Sequence, residues 1–133
     1  MAEQSGTGSA EGLDRVLADL RALSEDIESC AVLSDSGELL SSSHTSEADR
    51  ERVAGMLAAI ASLSERAARE NGKDHTSQVR VDAQEGHFLM VRIEGGGALA
   101  ATTGPDARVG LVLYDMRNSR GEVEKVLQEG SPR

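Results

Sequence analysis

The chain has 133 residues, a size typical of one domain, and its 38% hydrophobic and 28% charged residues are normal for a globular protein. Lys and Arg number 14 against 23 Asp and Glu, and the resulting net charge of -9 repels phosphate backbones and anionic lipids, which argues against nucleic-acid and membrane partners. With one Phe, one Tyr and no Trp, stacking on nucleobases or flat cofactors is almost unavailable. No secretory signal is visible and the only cysteine, Cys30, can form no disulfide within the chain, so we expect a cytoplasmic protein.

The N-terminal part of the sequence predicts a tail, a helix and a hairpin. Residues 1–11 have no large apolar side chain after the initial methionine, so we expect a flexible tail there. From Gly12 onward, apolar residues return every three or four positions, which predicts one apolar helix face. Residues 35–38 then separate the extended segments 30–34 and 39–42, and their Asp and Gly suit the tight turn of a β-hairpin.

The rest of the sequence predicts a long helix, three strands and a final helix. Ser46 suits the N-cap of a helix that stops near residues 71–72. Glycine-containing turns then separate three extended segments, which are residues 77–82, 87–94 and 98–103. Pro105 suits the first turn of a last helix, whose apolar face continues to Gly130.

The element order is therefore α-β-β-α-β-β-β-α, an α+β domain over residues 12–130 with a short tail at 131–133. Short links favour antiparallel pairing of neighbouring strands. The segment 87–94 carries apolar side chains on both of its faces, so we expect helices on both sides of the sheet.

The sequence offers little support for catalysis or for a bound cofactor or metal. Gly72 and Lys73 resemble the end of a phosphate-binding loop, but Ala67 stands where that loop requires a glycine. No Gly-x-Ser-x-Gly motif is present. Three histidines are scattered without metal-ligand spacing, namely His44, His75 and His87. We expect a protein that is not an enzyme.

The middle of the second helix has an unusual composition, because residues 53–64 contain no charged side chain. Five large apolar side chains share one arc that suits the domain's own core: Val53, Met56, Leu57, Ile60 and Leu63. Outside this arc the residues are small: Gly55, Ala58, Ala59, Ala61 and Ser62. Small residues permit close helix packing, which favours a contact with a second copy of the chain. The alternative is that alanine, a strong helix former, is tolerated on this surface.

In the segment 77–82, apolar and polar residues alternate. This pattern predicts an edge strand that can pair with the same strand of a second copy. Together, helix and strand define an expected seam of a homodimer. Its residues are Gly55, Ala58, Ala59, Ser62, Val79, Arg80 and Val81.

The element order and several segments resemble the roadblock/dynein light chain family over about residues 12–128. These segments are the hairpin IESCAVLSDSGELL at 27–40, the alanine-rich second helix, HFLMVRI at 87–93 and PDARVGLV at 105–112. The resemblance implies a homodimer whose two five-stranded sheets join edge to edge, with the second helix on one face of each sheet and the first and third helices on the other.

The same resemblance implies a function in contact with small Ras-like GTPases, since relatives bind them without catalysis of their own. In bacterial relatives the second helix contacts the GTPase. Matched by helical spacing alone, this surface corresponds here to Arg52, Met56, Ala59, Leu63 and Arg66. We therefore expect a homodimeric regulator or adaptor that modulates the nucleotide cycle or the placement of such a GTPase, and we assign no arginine finger. The alternatives are a PAS-like domain that senses a small ligand and a passive scaffold subunit.

Overall fold

The computed structural model describes the backbone of residues 2–130 and the side chains of residues 10–129. It contains eight elements: α1 (Ala2–Leu23), β1 (Ile27–Leu33), β2 (Leu39–Ser42), α2 (Glu47–Glu70), β3 (Gln78–Ala83), β4 (Gly86–Arg92), β5 (Ala98–Thr103) and α3 (Val109–Gly130). The predicted α+β class and element order are confirmed. The predicted tail at 131–133 lies outside the described residues.

Two helix starts differ from the sequence-based expectation. α1 begins at Ala2 rather than near Gly12, because extending an existing helix by one residue costs far less than nucleating one. The mobility of residues 1–11 stays a prediction. α3 begins at Val109 rather than near Pro105, because the Asp26 carboxylate accepts the Arg108 backbone N–H at 3.0 Å and fixes where the helix starts.

The caps of α2 follow the prediction. Ser46 has an extended backbone, and its hydroxyl accepts the Asp49 backbone N–H at 3.1 Å. At the other end Asn71 is the C-cap, and Gly72 adopts a φ of 74° that reverses the chain. These two ends fix the length of α2.

All five strands form one antiparallel sheet in the order β2-β1-β5-β4-β3. The hairpin between β1 and β2 is closed by a hydrogen bond of 2.8 Å from the Ser34 N–H to the Glu38 carbonyl, with Gly37 at a φ of 91°. Among residues 2–130, β3 pairs only with β4, so its outer side is a free edge, as the sequence predicted.

Helices cover both faces of the sheet, two on one face and one on the other. α1 and α3 enclose a first core of large aliphatic side chains around Leu89, Val91 and Leu99. α2 lies over a smaller second core that includes Leu33 and Met90. In the described part of the chain, no helix combines the length and apolar character needed to cross a bilayer.

Candidate interaction surface

α2 packs on the sheet through a narrow line of side chains. Val53 and Leu57 are buried, at 6% and 1% exposed, and Ile60 is half-buried beside them. The expectation that Met56 and Leu63 also cover the sheet is wrong, because these side chains are 39% and 67% exposed. Three of the five buried strand residues beneath α2 are alanines, namely Ala31, Ala98 and Ala100, so the helix lies close to these strands.

The side of α2 that faces away from the sheet forms what we call the α2 outer surface. It consists of exposed residues on successive turns: Arg52, Gly55, Met56, Ala59, Ser62, Leu63 and Arg66. Residues three and four positions apart are neighbours on a helix, so these side chains form one continuous strip. The strip includes every residue of the expected GTPase-binding surface. From the expected seam it includes Gly55, Ala59 and Ser62.

Ala58 is the one residue of the expected seam on α2 that the structure turns inward. It is half-buried and packs against the second core. A Cβ placed on Gly37 would lie 3.6 Å from the Ala58 Cβ, so the turn between β1 and β2 approaches α2 closely at this point. The small side chain at position 58 therefore serves packing within one copy.

The two arginines of the α2 outer surface are held in local ion pairs. Arg52 lies 3.4 Å from the carboxylate of Asp49, and Arg66 lies 2.7 Å from that of Glu70. Hydrogen bonds from Ser46 and then from Arg52 hold the pKa of Asp49 below its usual value. Exposed pairs of this kind contribute little to stability, so either arginine can exchange its partner for an acid on another protein at small cost.

An apolar crevice of about 240 Å³ runs along one flank of α2, above β1 and β5 and beside Phe88 of β4. Met56 and Leu57 form its helical wall, and Phe88 and Ala100 line its floor. Phe88 is the β4 residue that pairs with Val81 of the free edge strand. No residue of β3 itself lines this crevice.

A larger cleft of about 570 Å³ lies on the other flank, near the C-terminal end of α2. The segment that enters β3 is tied to α2 there: the Thr76 hydroxyl donates to the Ser64 carbonyl at 2.7 Å, and His75 Nδ1 lies 3.3 Å from Glu65. Burial raises the pKa of Glu65, but hydrogen bonds from His75 and the Thr76 amide outweigh it and the pKa lies below its ordinary value. These contacts fix the position of β3 relative to α2.

The free edge strand carries the remaining residues of the expected seam. Val79 is half-buried against the second core, and Val81 is 46% exposed on the same face of the sheet. Arg80 points to the opposite face, where its Nε lies 2.9 Å from Asp82. The Asp82 carboxylate also lies 2.7 Å from His87 Nδ1.

Sequence reasoning missed the contacts made by the histidines. The distance of ten positions between Glu65 and His75 gave no local signal, because their contact depends on how the loop folds back over α2. The contact between Asp82 and His87 was predictable, since a hairpin turn at 84–85 pairs position 82 with position 87.

The described residues hold no cluster of His, Cys, Asp or Glu suited to a metal ion. Cys30 is buried, and burial raises the pKa of its thiol to about 11, so the thiolate nucleophile is scarce at neutral pH.

A family model described as the Roadblock/LC7 domain matches residues 13–103, more than half of the chain. The chain belongs to the Roadblock/LC7 family. The matched region runs from α1 to the end of β5 and so contains both α2 and the β3 edge. No curated protein matches the sequence.

Solved structures share this Roadblock/LC7 fold at low sequence identity. MglB of Myxococcus xanthus matches with a TM-score of 0.82 and 14% identity over 93% of each chain. A Roadblock/LC7 domain from Streptomyces avermitilis matches with a TM-score of 0.78 and 21% identity, over 86% of this chain and 97% of that one. The gliding protein MglB of Thermus thermophilus matches with a TM-score of 0.78 and 12% identity, over 91% and 92%. At these identities the likeness is one of fold.

Proposed function

We propose that this Roadblock/LC7 protein is a homodimeric regulator or adaptor that binds a small Ras-like GTPase through α2. The observation that carries the proposal is the α2 outer surface, where Met56 and Leu63 lie exposed between Arg52 and Arg66. Met56 also lines an apolar crevice, and contiguous exposed apolar surface of this kind is typical of protein interaction sites. Family membership supports the choice of partner.

The edge position of β3 suggests how one helix serves two partners. A second copy that pairs along β3 extends the sheet beyond this edge. The α2 helices of the two copies then lie side by side on one face of a joined sheet. Gly55, Ala59 and Ser62 allow them to approach closely, while Met56 and Leu63 border the groove between them.

The GTPase would dock on the platform formed by the two helices. Arg52 and Arg66 stand on its exposed side and can pair with acidic residues of the GTPase. In this arrangement the two α2 helices bind and position the GTPase, and the GTPase itself carries out the nucleotide chemistry.

The test is binding to GTPases of the same source organism, loaded with GDP or with a GTP analogue, together with their rate of GTP hydrolysis. Leu63→Glu should abolish binding, because a carboxylate would be placed in an apolar contact. Leu111→Glu is the matched control, since Leu111 is 45% exposed on α3, on the opposite side of the sheet. Full binding by the Leu63 variant, or no binding by the unmodified protein in either nucleotide state, counts against the proposal.

Faster GTP hydrolysis in the presence of the protein identifies a regulator of turnover. An unchanged rate, with binding retained, identifies an adaptor that places the GTPase.

A further inference from the structure

We infer that two copies pair along β3 in one particular register, with Val81 opposite the partner's Val81 and Arg80 opposite the partner's Asp82. The inference rests on the proposed homodimer. It adds which residues meet across the joined edge and which charges select that arrangement.

The pairing of β3 with β4 determines which backbone groups of β3 are free. The Arg92 N–H donates to the Ser77 carbonyl at 2.9 Å, and these two residues continue the register in which Gln78 is opposite Val91. In an antiparallel ladder, hydrogen-bonded residues alternate along the strand. The odd-numbered residues of β3 therefore bond to β4. Three residues direct their N–H and C=O groups away from the sheet: Gln78, Arg80 and Asp82.

The proposed arrangement of α2 restricts the register further. If both α2 helices lie on one face of the joined sheet, residues opposite each other across the seam must point to the same face. Val79 and Val81 lie on the α2 face, and Arg80 lies on the other face. An even-numbered residue must therefore face an even-numbered residue, which excludes every register shifted by one position.

The charges of Arg80 and Asp82 distinguish between the remaining registers. A two-fold axis at Arg80 places two arginines directly opposite each other, and an axis at Asp82 does the same with two aspartates, both of which are unfavourable. An axis at Val79 leaves both charges without a charged residue opposite. An axis at Val81 alone places Arg80 opposite the partner's Asp82, and symmetry forms this pair twice.

The surroundings of these side chains fit an axis at Val81. Arg80 and Asp82 are about half exposed at the open edge, so both are accessible to a second copy. Hydrogen bonds from Arg80 and then from His87 keep the pKa of Asp82 below its usual value, so its carboxylate is charged at neutral pH. In this register each Asp82 lies between its own Arg80 and the partner's. On the α2 face, the exposed Val81 is covered by the partner's Val81.

Cysteine cross-linking of the full-length chain tests the register. With the axis at Val81, the Cα atoms of residue 81 in the two copies are about 4.5 Å apart, within disulfide range. Val81→Cys should therefore form a disulfide-linked dimer under mild oxidation. Val79→Cys is the matched control on the same strand and face, because the two copies of residue 79 are then about 13 Å apart. The buried Cys30 is present in every variant, and the unmodified protein measures its background.

Cross-linking by Arg80→Cys but not by Val81→Cys would place the axis at Arg80 and overturn the inference. If neither variant cross-links while light scattering shows a dimer, the axis lies at neither Val81 nor Arg80 and the inference is again wrong. A monomer by light scattering at micromolar concentration is a different failure, because it removes the proposed homodimer itself.

Charge exchange gives an independent readout. Arg80→Asp should weaken dimerisation about tenfold or more, because two attractive cross-strand pairs become repulsive. Adding Asp82→Arg to that variant restores opposite charges across the seam and should recover most of the affinity. Both variants should keep the circular dichroism of the folded protein. A double variant as weak as the single one contradicts the pairing of Arg80 with the partner's Asp82.

Discussion

The two faces of the sheet are packed in different ways. Under α1 and α3, the core consists of large aliphatic side chains such as Leu20, Leu89 and Met116, which are at most 1% exposed. Under α2, the core is smaller, and three of its five buried strand residues are alanines. α2 itself buries only Val53 and Leu57 fully.

The contrast shows that one face is complete within a single copy and the other is not. The α1 and α3 face is filled by its core of large side chains, although its helices also expose Leu23, Leu111 and Tyr114. The α2 face leaves an apolar crevice of about 240 Å³ and exposes Met56 and Leu63. A face with unfilled apolar space is suited to contact with another molecule, whereas the complete face supplies the stability that holds this surface in place.

Matched deletions in the two cores test this contrast directly. Leu20→Ala and Leu57→Ala each remove a leucine that is 1% exposed. We expect Leu20→Ala to lower the free energy of unfolding by about 3–5 kcal/mol, and Leu57→Ala by about 2–3 kcal/mol, since the crevice beside Leu57 lets its surroundings collapse. Denaturant titration measures both. An equal or larger loss for Leu57→Ala would show that the α2 face is as tightly packed as the other.

Substitutions on the α2 face should affect the dimer dissociation constant more strongly than the stability of the fold. Ala59→Glu places a carboxylate on the α2 outer surface, at the expected contact between copies. We expect the dimer dissociation constant to rise about 100-fold or more, because a buried unpaired charge costs several kcal/mol. Ala18→Glu on the exposed side of α1 is the control and should leave the constant unchanged. A fully dimeric Ala59 variant would move the seam away from this part of α2.

Much of the fold was predictable because its signals are local. The N-cap at Ser46, the stop at residues 71–72 and the turn at 35–38 each depend on the residues at that point. The start of α3 was not predictable in this way. It is fixed by Asp26, which lies 82 positions away in sequence from Arg108.

The candidate surface was only partly predictable for a similar reason. The absence of charge from 53 to 64 pointed to α2, but the face of the helix that meets the sheet depends on the size of the side chains beneath it. In the fold, Ala58 packs against the second core while Met56 and Leu63 stay outside. The size of the side chains that a helix packs against cannot be deduced from the spacing of residues in the helix itself.

Two helical glycines offer a smaller test of packing on the two faces. A Cβ on Gly12 of α1 would lie 2.8 Å from Val126 Cγ1, whereas one on Gly55 of α2 would meet no atom within 4 Å. Within a single copy, we expect Gly55→Ala to raise the free energy of unfolding by about 0.5–1 kcal/mol through helix propensity. Gly12→Ala should lose that gain to the clash with α3. Thermal melting of the two variants compares them, and an equal gain in both would mean that α1 and α3 are not tightly packed at this point.

The smallest expected effect concerns acid stability. On the complete face, the Asp26 carboxylate accepts hydrogen bonds from the Arg108 backbone N–H at 3.0 Å and from its Nε at 3.1 Å, and these bonds lower the pKa of Asp26. The unfolded chain therefore binds the proton more readily than the folded one. The stabilisation is fully present above about pH 4, the ordinary range of aspartate, and is lost as the pH falls through the lower pKa of the folded state.

Asp26→Asn should reduce this acid dependence, because asparagine can still accept a hydrogen bond but does not titrate. Glu65→Gln is the counterpart on the α2 face, where the lowered pKa of Glu65 acts in the same direction. Asp26 joins distant segments around the closed core, whereas Glu65 ties only a neighbouring loop, so we expect the larger change from Asp26→Asn. Melting temperatures at pH 6 and pH 3 measure both. A larger change from Glu65→Gln would mean that the contacts at the end of α2 hold the fold together more strongly than the start of α3 does.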